Sequence, residues 1–265
     1  MKQILALLPV ICLFLGCQPS NTEESDSEKY APGESNTTGN MGVYELRTYY
    51  ASEGNLENLL TRFRDHTTSL FEKHEMKNIG YWVPLENDQN ILTYLLGYDS
   101  RDAREASWAS FLEDVEWIDA KETSEINGSL VDSVKSVFLK PARLSPNLEI
   151  NDNGPRVFEL RTYYTHKGKL EYLHKRFQDH TMKIFENHGM TNIVYFNLDR
   201  DQKGAENTLV YIISHSSREA ADNNWKAFLD DPEWNSAYQN SIKDGNLVDS
   251  LTSVFMTPTD FSPLK

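Results

Sequence analysis

The segment Val43-Tyr44-Glu45-Leu46-Arg47-Thr48-Tyr49-Tyr50 returns later in the chain as Val157-Phe158-Glu159-Leu160-Arg161-Thr162-Tyr163-Tyr164. Without a gap, 23 of the 41 positions from Val43 to Val83 are identical to those from Val157 to Asn197. After a three-residue insertion near Gly204 the match resumes: Ser100-Arg101 with Ser217-Arg218, Trp108 with Trp225, Glu116-Trp117 with Glu233-Trp234, and Leu130-Val131-Asp132-Ser133 with Leu247-Val248-Asp249-Ser250. Solenoid units run to about 20–50 residues, so a repeat this long is a domain. Whatever one copy folds into, the chain must accommodate two.

Each copy reads alike. Val43 to Tyr50 is β-branched and aromatic, the mark of a strand. Leu56, Leu59, Leu60, Phe63, Leu70 and Phe71 then recur at helical spacing. Ile79 to Leu85 and Ile91 to Tyr98 read as two strands joined by a turn at Asn87-Asp88. Arg101 to Leu112 reads as a helix capped by Ser100, and a last strand runs from Leu130 to Leu139, before Pro141. The order is βαββαβ, the ferredoxin-like pattern of an α+β domain. Two helices cover one sheet face and leave the other bare, so the expected remedy is to pack the two bare faces together. The result is a pseudo-dimeric α/β barrel of two tandem repeats. The repeats are placed at 43–140 and 157–258, with 141–156 as linker.

The segment before the repeats has a different character. Lys2 precedes an apolar run from Ile4 to Leu15 that is too short to span a bilayer as a helix but suits a secretory signal. The run ends in Leu13-Phe14-Leu15-Gly16-Cys17, which resembles the lipobox of bacterial lipoproteins, with Phe14 where that pattern prefers Leu. The alternative is an ordinary signal peptide with an incidental cysteine. Only Cys12 and Cys17 exist. Cleavage before Cys17 leaves one cysteine at the new N-terminus, which excludes an internal disulfide. Residues 18–42, rich in Ser, Asn, Thr, Glu and Gly, read as a flexible tether. The resemblance implies an exported protein held on a membrane by a lipid on Cys17. Gln18 rather than Asp after the cysteine points to the outer membrane or periplasmic face. The net charge of −14 argues against nucleic acid as a partner, because phosphate backbones are repelled.

Three further stretches, with the opening strand, resemble the NIPSNAP family of the dimeric α/β-barrel superfamily. They are Phe71-Glu72-Lys73-His74-Glu75-Met76, Tyr98-Asp99-Ser100-Arg101-Asp102-Ala103-Arg104, and the corner Asp114-Val115-Glu116-Trp117, repeated as Asp231-Pro232-Glu233-Trp234. The second copy departs at Ala221, where the first has Arg104, so any role of Arg104 belongs to one half. The resemblance implies the barrel but no settled chemistry. Animal members resemble mitochondrial adaptor proteins, and related barrels include cofactor-free monooxygenases, haem-degrading enzymes and small-molecule isomerases.

Alternation along the first strand puts Glu45, Arg47 and Tyr49 on one face and Tyr44, Leu46, Thr48 and Tyr50 on the other. The mostly apolar set is expected to meet the helices. The polar set, with Glu159, Arg161 and Tyr163, is then expected to face the barrel interior. There it forms either the lining of a ligand cavity or a structural ion pair. His66 and His180, at equivalent places on the first helices, fall on the apolar stripe. They are either packed histidines or proton-transfer groups reaching a cavity. His74 and His188 are expected to cap helix carbonyls. Trp108, Trp117, Trp225 and Trp234 read as packing anchors rather than a cofactor stack. No metal-ligand spacing, phosphate loop or nucleophile turn is present, and no metal or cofactor is expected. Two functions remain open: a barrel that binds, and acts on, a small molecule, or a non-catalytic scaffold in the cell envelope. An open polar cavity favours the first, a filled interior and an exposed apolar patch the second.

Overall fold

A computed structural model describes residues 41–265. The expected signal segment, Cys17 and most of the tether lie outside the described residues. Among the described residues no helix is long and apolar enough to cross a membrane.

The first repeat contains β1 (Val43–Ala51), α1 (Leu56–Arg62), a π-helical turn (Phe63–Thr67), α2 (Thr68–Lys73), β2 (Lys77–Pro84), β3 (Ile91–Tyr98), α3 (Arg101–Leu112), α4 (Val115–Ser124) and β4 (Val131–Pro141). The second contains β5 (Val157–Thr165), α5 (Leu170–Arg176), a π turn (Phe177–Thr181), α6 (Met182–Asn187), β6 (Thr191–Leu198), β7 (Thr208–His215), α7 (Arg218–Asp230), α8 (Pro232–Ser241) and β8 (Val248–Pro258). Ser100 Oγ accepts the Ala103 N–H at 3.0 Å, capping α3 as expected. The Asp114 and Asp231 corners prove to be N-caps of additional helices, accepting the N–H groups of Glu116 and Glu233.

All eight strands are antiparallel neighbours in one closed barrel, in the order β1-β3-β2-β8-β5-β7-β6-β4. Two short seams join the halves. Trp82, Val83 and Pro84 pair with Pro258, Thr257 and Met256, and Leu139, Lys140 and Pro141 pair with Leu198, Asn197 and Phe196. Each half then sends a strap onto the other: Ser145 Oγ accepts the Tyr195 N–H, and Ser262 Oγ accepts the Tyr81 N–H. The stretch expected as a plain linker is therefore partly packed, with Ala142, Leu144 and Leu148 buried.

Alternation in β1 is as expected, but the two faces are exchanged. Tyr44, Leu46, Trp82 and Leu95 meet Phe158, Phe196 and Ile212 in one apolar cluster between the halves. Glu45, Arg47 and Tyr49, with Glu159, Arg161 and Tyr163, point instead towards the helices. The reason is a difference in available partners. Sheet facing sheet offers only side chains of the same pattern, so that space is filled by apolar groups from both halves. A helix layer can supply donors, and a buried carboxylate needs them.

The π turns reposition the histidines. An extra residue in the turn rotates the following side chains away from α-helical register. Phe63, Thr67, Leu70 and Phe71 are buried, while His66 is exposed and His180 half-exposed. Neither histidine lies on the buried stripe as expected. Thr67 and Thr181 Oγ1 each return a bond to the carbonyls of Arg62 and Arg176, at 3.2 Å. His74 and His188 do not cap carbonyls. Their helices end through backbone bonds, with Glu75 (φ 60°) and Gly189 (φ 76°) in the left-handed region. The two rings instead reach Asp114 at 2.6 Å and Asp231 at 2.7 Å.

Candidate functional site

The centre of each repeat is a carboxylate with no solvent exposure, Glu45 in the first and Glu159 in the second. Glu45 Oε1 accepts from Arg47 Nη1 at 2.5 Å, Arg104 Nη2 at 2.9 Å and Ser136 Oγ at 2.5 Å. Its Oε2 accepts from Arg104 Nε at 2.9 Å, and more distantly from Tyr98 and Trp108, both at 3.3 Å. Burial alone would raise the Glu45 carboxyl. The Arg104 bonds, the Arg47 charge and the Ser136 bond outweigh burial and hold it down at about 2, against an ordinary 4.5.

Glu159 keeps the plan and changes the parts. Arg161 Nη1 donates at 2.5 Å, Ser253 Oγ at 2.6 Å and Trp225 Nε1 at 2.7 Å. Ala221 cannot replace Arg104. The vacated valence is taken by His215, which stands where Tyr98 stands in the first repeat and places Nε2 3.1 Å from Oε2. Asn224 donates to His215 Nδ1 at 3.5 Å and to the Gly189 carbonyl at 3.2 Å, so the contacts assign the ring proton to Nε2. Burial would raise Glu159 too, and the His215 bond, the Arg161 charge and Ser253 bring it to about 2.

The charge left over differs between the halves. In the first, Arg47 and Arg104 both reach the buried Glu45, Arg104 also pairs with the exposed Glu105 at 3.1 Å, and the deeper Arg62 has its own carboxylate, Glu125, at 2.8 Å. In the second, Arg161 and Glu159 balance. Arg176, the equivalent of Arg62, is buried with no carboxylate in salt-bridge reach among the described residues; Ile242 stands in the place of Glu125. Arg176 donates to Ser241 and lies 5.2 Å from the Trp234 ring, and burial lowers its pKa.

Between β1, the first π turn and α3 lies a cleft of about 500 Å³. Arg47, Tyr49, Arg62 and Arg104 line it with the rings of Trp108 and Trp117. The Arg47 guanidinium sits 4.3 Å from the centroid of Trp108. Of the residues expected around a cavity, Arg47 and Tyr49 reach this one. Glu45 forms its sealed floor through the arginines, and His66 opens on another hollow beside α4. Among the described residues no cluster of three His, Cys, Asp or Glu side chains could hold a metal ion.

The model of the NIPSNAP family matches residues 44–146 and again 158–263. The chain belongs to the NIPSNAP family. No curated protein matches it. An uncharacterized NIPSNAP domain protein from Burkholderia xenovorans shares 22% identity over 40% of this chain and 99% of that one, with a TM-score of 0.35. A NIPSNAP family protein with unknown function from Agrobacterium tumefaciens shares 26% over 43% and 98%, with a TM-score of 0.37. A candidate monooxygenase from Fusobacterium nucleatum is 7% identical over 83% of this chain and 93% of that one, with a TM-score of 0.53, and shares the fold alone.

Within this NIPSNAP protein the sequence pattern left Arg62, Tyr98, Ser136 and His215 out of the site. Their signal was present in the repeat itself. Ser136 and Ser253 recur as a pair. Arg104→Ala221 and Tyr98→His215 are paired replacements around a carboxylate that does not change.

Proposed function

We propose that this NIPSNAP protein is a membrane-tethered small-molecule-binding protein, and that the cleft of its first repeat takes a carboxylate or enolate with an apolar body. One observation carries the reading: Arg47 and Arg104 share a single buried carboxylate, and the other partner of Arg104, Glu105, is 62% exposed and screened by water, so the buried wall of an aromatic cleft is weighted towards positive charge. Guanidinium groups recognise carboxylates with charge-assisted, often bidentate bonds, and aromatic walls of this kind hold an apolar body. The tether follows from the signal-like segment and Cys17. Replacing Cys17 by Ser should move the protein from the detergent phase to the aqueous phase, and unchanged partitioning would remove the anchor from the proposal.

The test of the site uses Arg104→Ala together with Tyr98→His, because the second repeat holds the same carboxylate with Ala221 and His215 at those places. With 2-naphthoate as probe and tryptophan fluorescence as readout, affinity should fall by about tenfold or more, with little change in melting temperature. Equal affinity in the variant refutes the site. A scaffold function is the second reading, favoured by the exposure of Leu112 (56%), Val115 (76%) and Ile118 (40%) beside the cleft.

A further inference from the structure

β4 and β8 each leave most of one edge uncovered. β8 pairs with β2 only from Met256 to Pro258, and β4 pairs with β6 only from Leu139 to Pro141. One further backbone bond extends each seam, from the Leu85 N–H to the Phe255 carbonyl and from the Asp199 N–H to the Phe138 carbonyl. Along the rest of each strand the only strand beside it, among the described residues, is β5 or β1 of its own repeat. The N–H and C=O of one residue in an antiparallel strand point to the same side, and that side alternates along the strand. The Phe255 carbonyl points towards β2, so the N–H and C=O groups of Ser253 and Leu251 do too. No backbone group among the described residues meets them. The strand is bare on its faces as well: the six residues from Asp249 to Val254 are all exposed, Leu251 by 46%.

The two edges share a geometry and differ in protection. An uncovered strand is a template for another strand, and proteins blunt such edges, often with lysine. Lys135 stands on β4 with its Nζ 5.0 Å from the Tyr50 ring, and Lys140 follows it at the seam. In β8 the equivalent places hold Thr252 and Thr257, and Tyr164, the counterpart of Tyr50, is 40% exposed. Residues 250–259 carry no charge at all. The first repeat guards its edge, and the second does not.

Charge decides what can pair there. Two copies of a chain with a net charge of −14 repel each other over most of their surfaces, and an uncharged edge is where that repulsion is least. The edge also matches itself. Antiparallel pairing about a two-fold axis at Leu251 sets Leu251 against Leu251 of the second copy and Asp249 beside Ser253, so no like charges face one another. The two Leu251 residues then exchange a pair of N–H···O=C bonds. Such a contact is isologous, occupies both open edges and closes at two copies.

We propose that the β8 edge is a dimer interface, at which a second copy of this chain adds its own β8 antiparallel and carries the sheet from one barrel into the next.

The test is sedimentation of the purified full chain from micromolar to millimolar concentration. The wild type should pass from one copy to two and go no further. Thr252→Lys installs the first repeat's residue on an exposed strand, so it should keep the melting temperature and weaken pairing by about tenfold or more. A cysteine reads the contact directly and does not depend on that variant. Leu251→Cys should cross-link two copies under mild oxidation, because residues directly opposite in a strand pair lie close enough for a disulfide, and Val134→Cys on the guarded edge should not. The proposal is overturned if the wild type stays a single copy at every concentration, if folded Thr252→Lys pairs like the wild type, or if Val134→Cys cross-links as readily as Leu251→Cys.

Discussion

Acid should unfold this protein chiefly between about pH 4.5 and pH 2, after a smaller loss below about pH 6.5, where burial of His174 disfavours its protonated form. Glu45 and Glu159 are each held at about 2 in the fold, against an ordinary 4.5. Because the folded values lie below the unfolded ones, the stabilisation is complete above about pH 4.5. It is lost as the pH falls through the folded value. A depression of this size is worth about 3 kcal/mol per carboxylate, or about 6 kcal/mol for the pair. Single domains are stable by only about 5–15 kcal/mol, so the two titrations together approach the whole margin. Glu45→Gln offers an internal check. The amide mimics the protonated acid, so at neutral pH it should cost about 3 kcal/mol or somewhat more, because Arg47 is then left with no carboxylate and Arg104 with only the exposed Glu105. It should also halve the pH dependence. Urea unfolding of both proteins at pH 7 and pH 3 reads all of this. A Glu45→Gln variant with the wild-type acid response would show that the carboxylates are not the groups that titrate.

The same carboxylate marks how far the residues alone lead. The duplicated Glu-x-Arg-x-Tyr pattern is enough to place three side chains on one strand face in both halves, and that placement is what the structure has. Which face was harder, because both faces of this strand are covered. A strand between a helix layer and a second sheet has no solvent side, so the usual rule that apolar residues point inward cannot choose. The deciding facts are long-range: Arg104, Trp108 and Ser136 come from α3 and β4, and their donors converge on Glu45 across 59 to 91 positions of sequence. The histidines failed for a different reason. The spacing of Phe63, His66 and Leu70 fits an α-helix, but the chain takes a π turn there in both repeats. No local pattern announces the extra residue. The barrel closure, by contrast, needed only two copies of an element order with one uncovered sheet face.

The barrel interior carries the sharpest test of how the two copies diverged. Gly80 has no room for a side chain, since a Cβ there would lie 2.4 Å from two ring atoms of Trp82. In the second repeat Val194 stands at the equivalent place, and its neighbour is the smaller Phe196. The halves thus fill one apolar space in two ways, a large ring over glycine or a smaller ring over valine. Trp82 packs on Phe158 at 5.6 Å, and Phe196 on Tyr44 at 5.1 Å, so each ring also bridges to the opposite repeat. Gly80→Val alone should therefore expel Trp82 and cost about 3–5 kcal/mol, comparable to deleting a large core aromatic side chain. Trp82→Phe alone should cost less, because the indole Nε1 is buried without a partner and its removal ends that deficit. Together the two changes install the second repeat's solution. Their effects should fall well short of the sum, with a coupling of about 2–3 kcal/mol in a double-mutant cycle of urea midpoints. Simple additivity would mean that the clash is relieved by backbone movement at the seam, where Trp82 pairs with Pro258, rather than by the ring. In that event the barrel is held by its edges more than by the cluster at its centre.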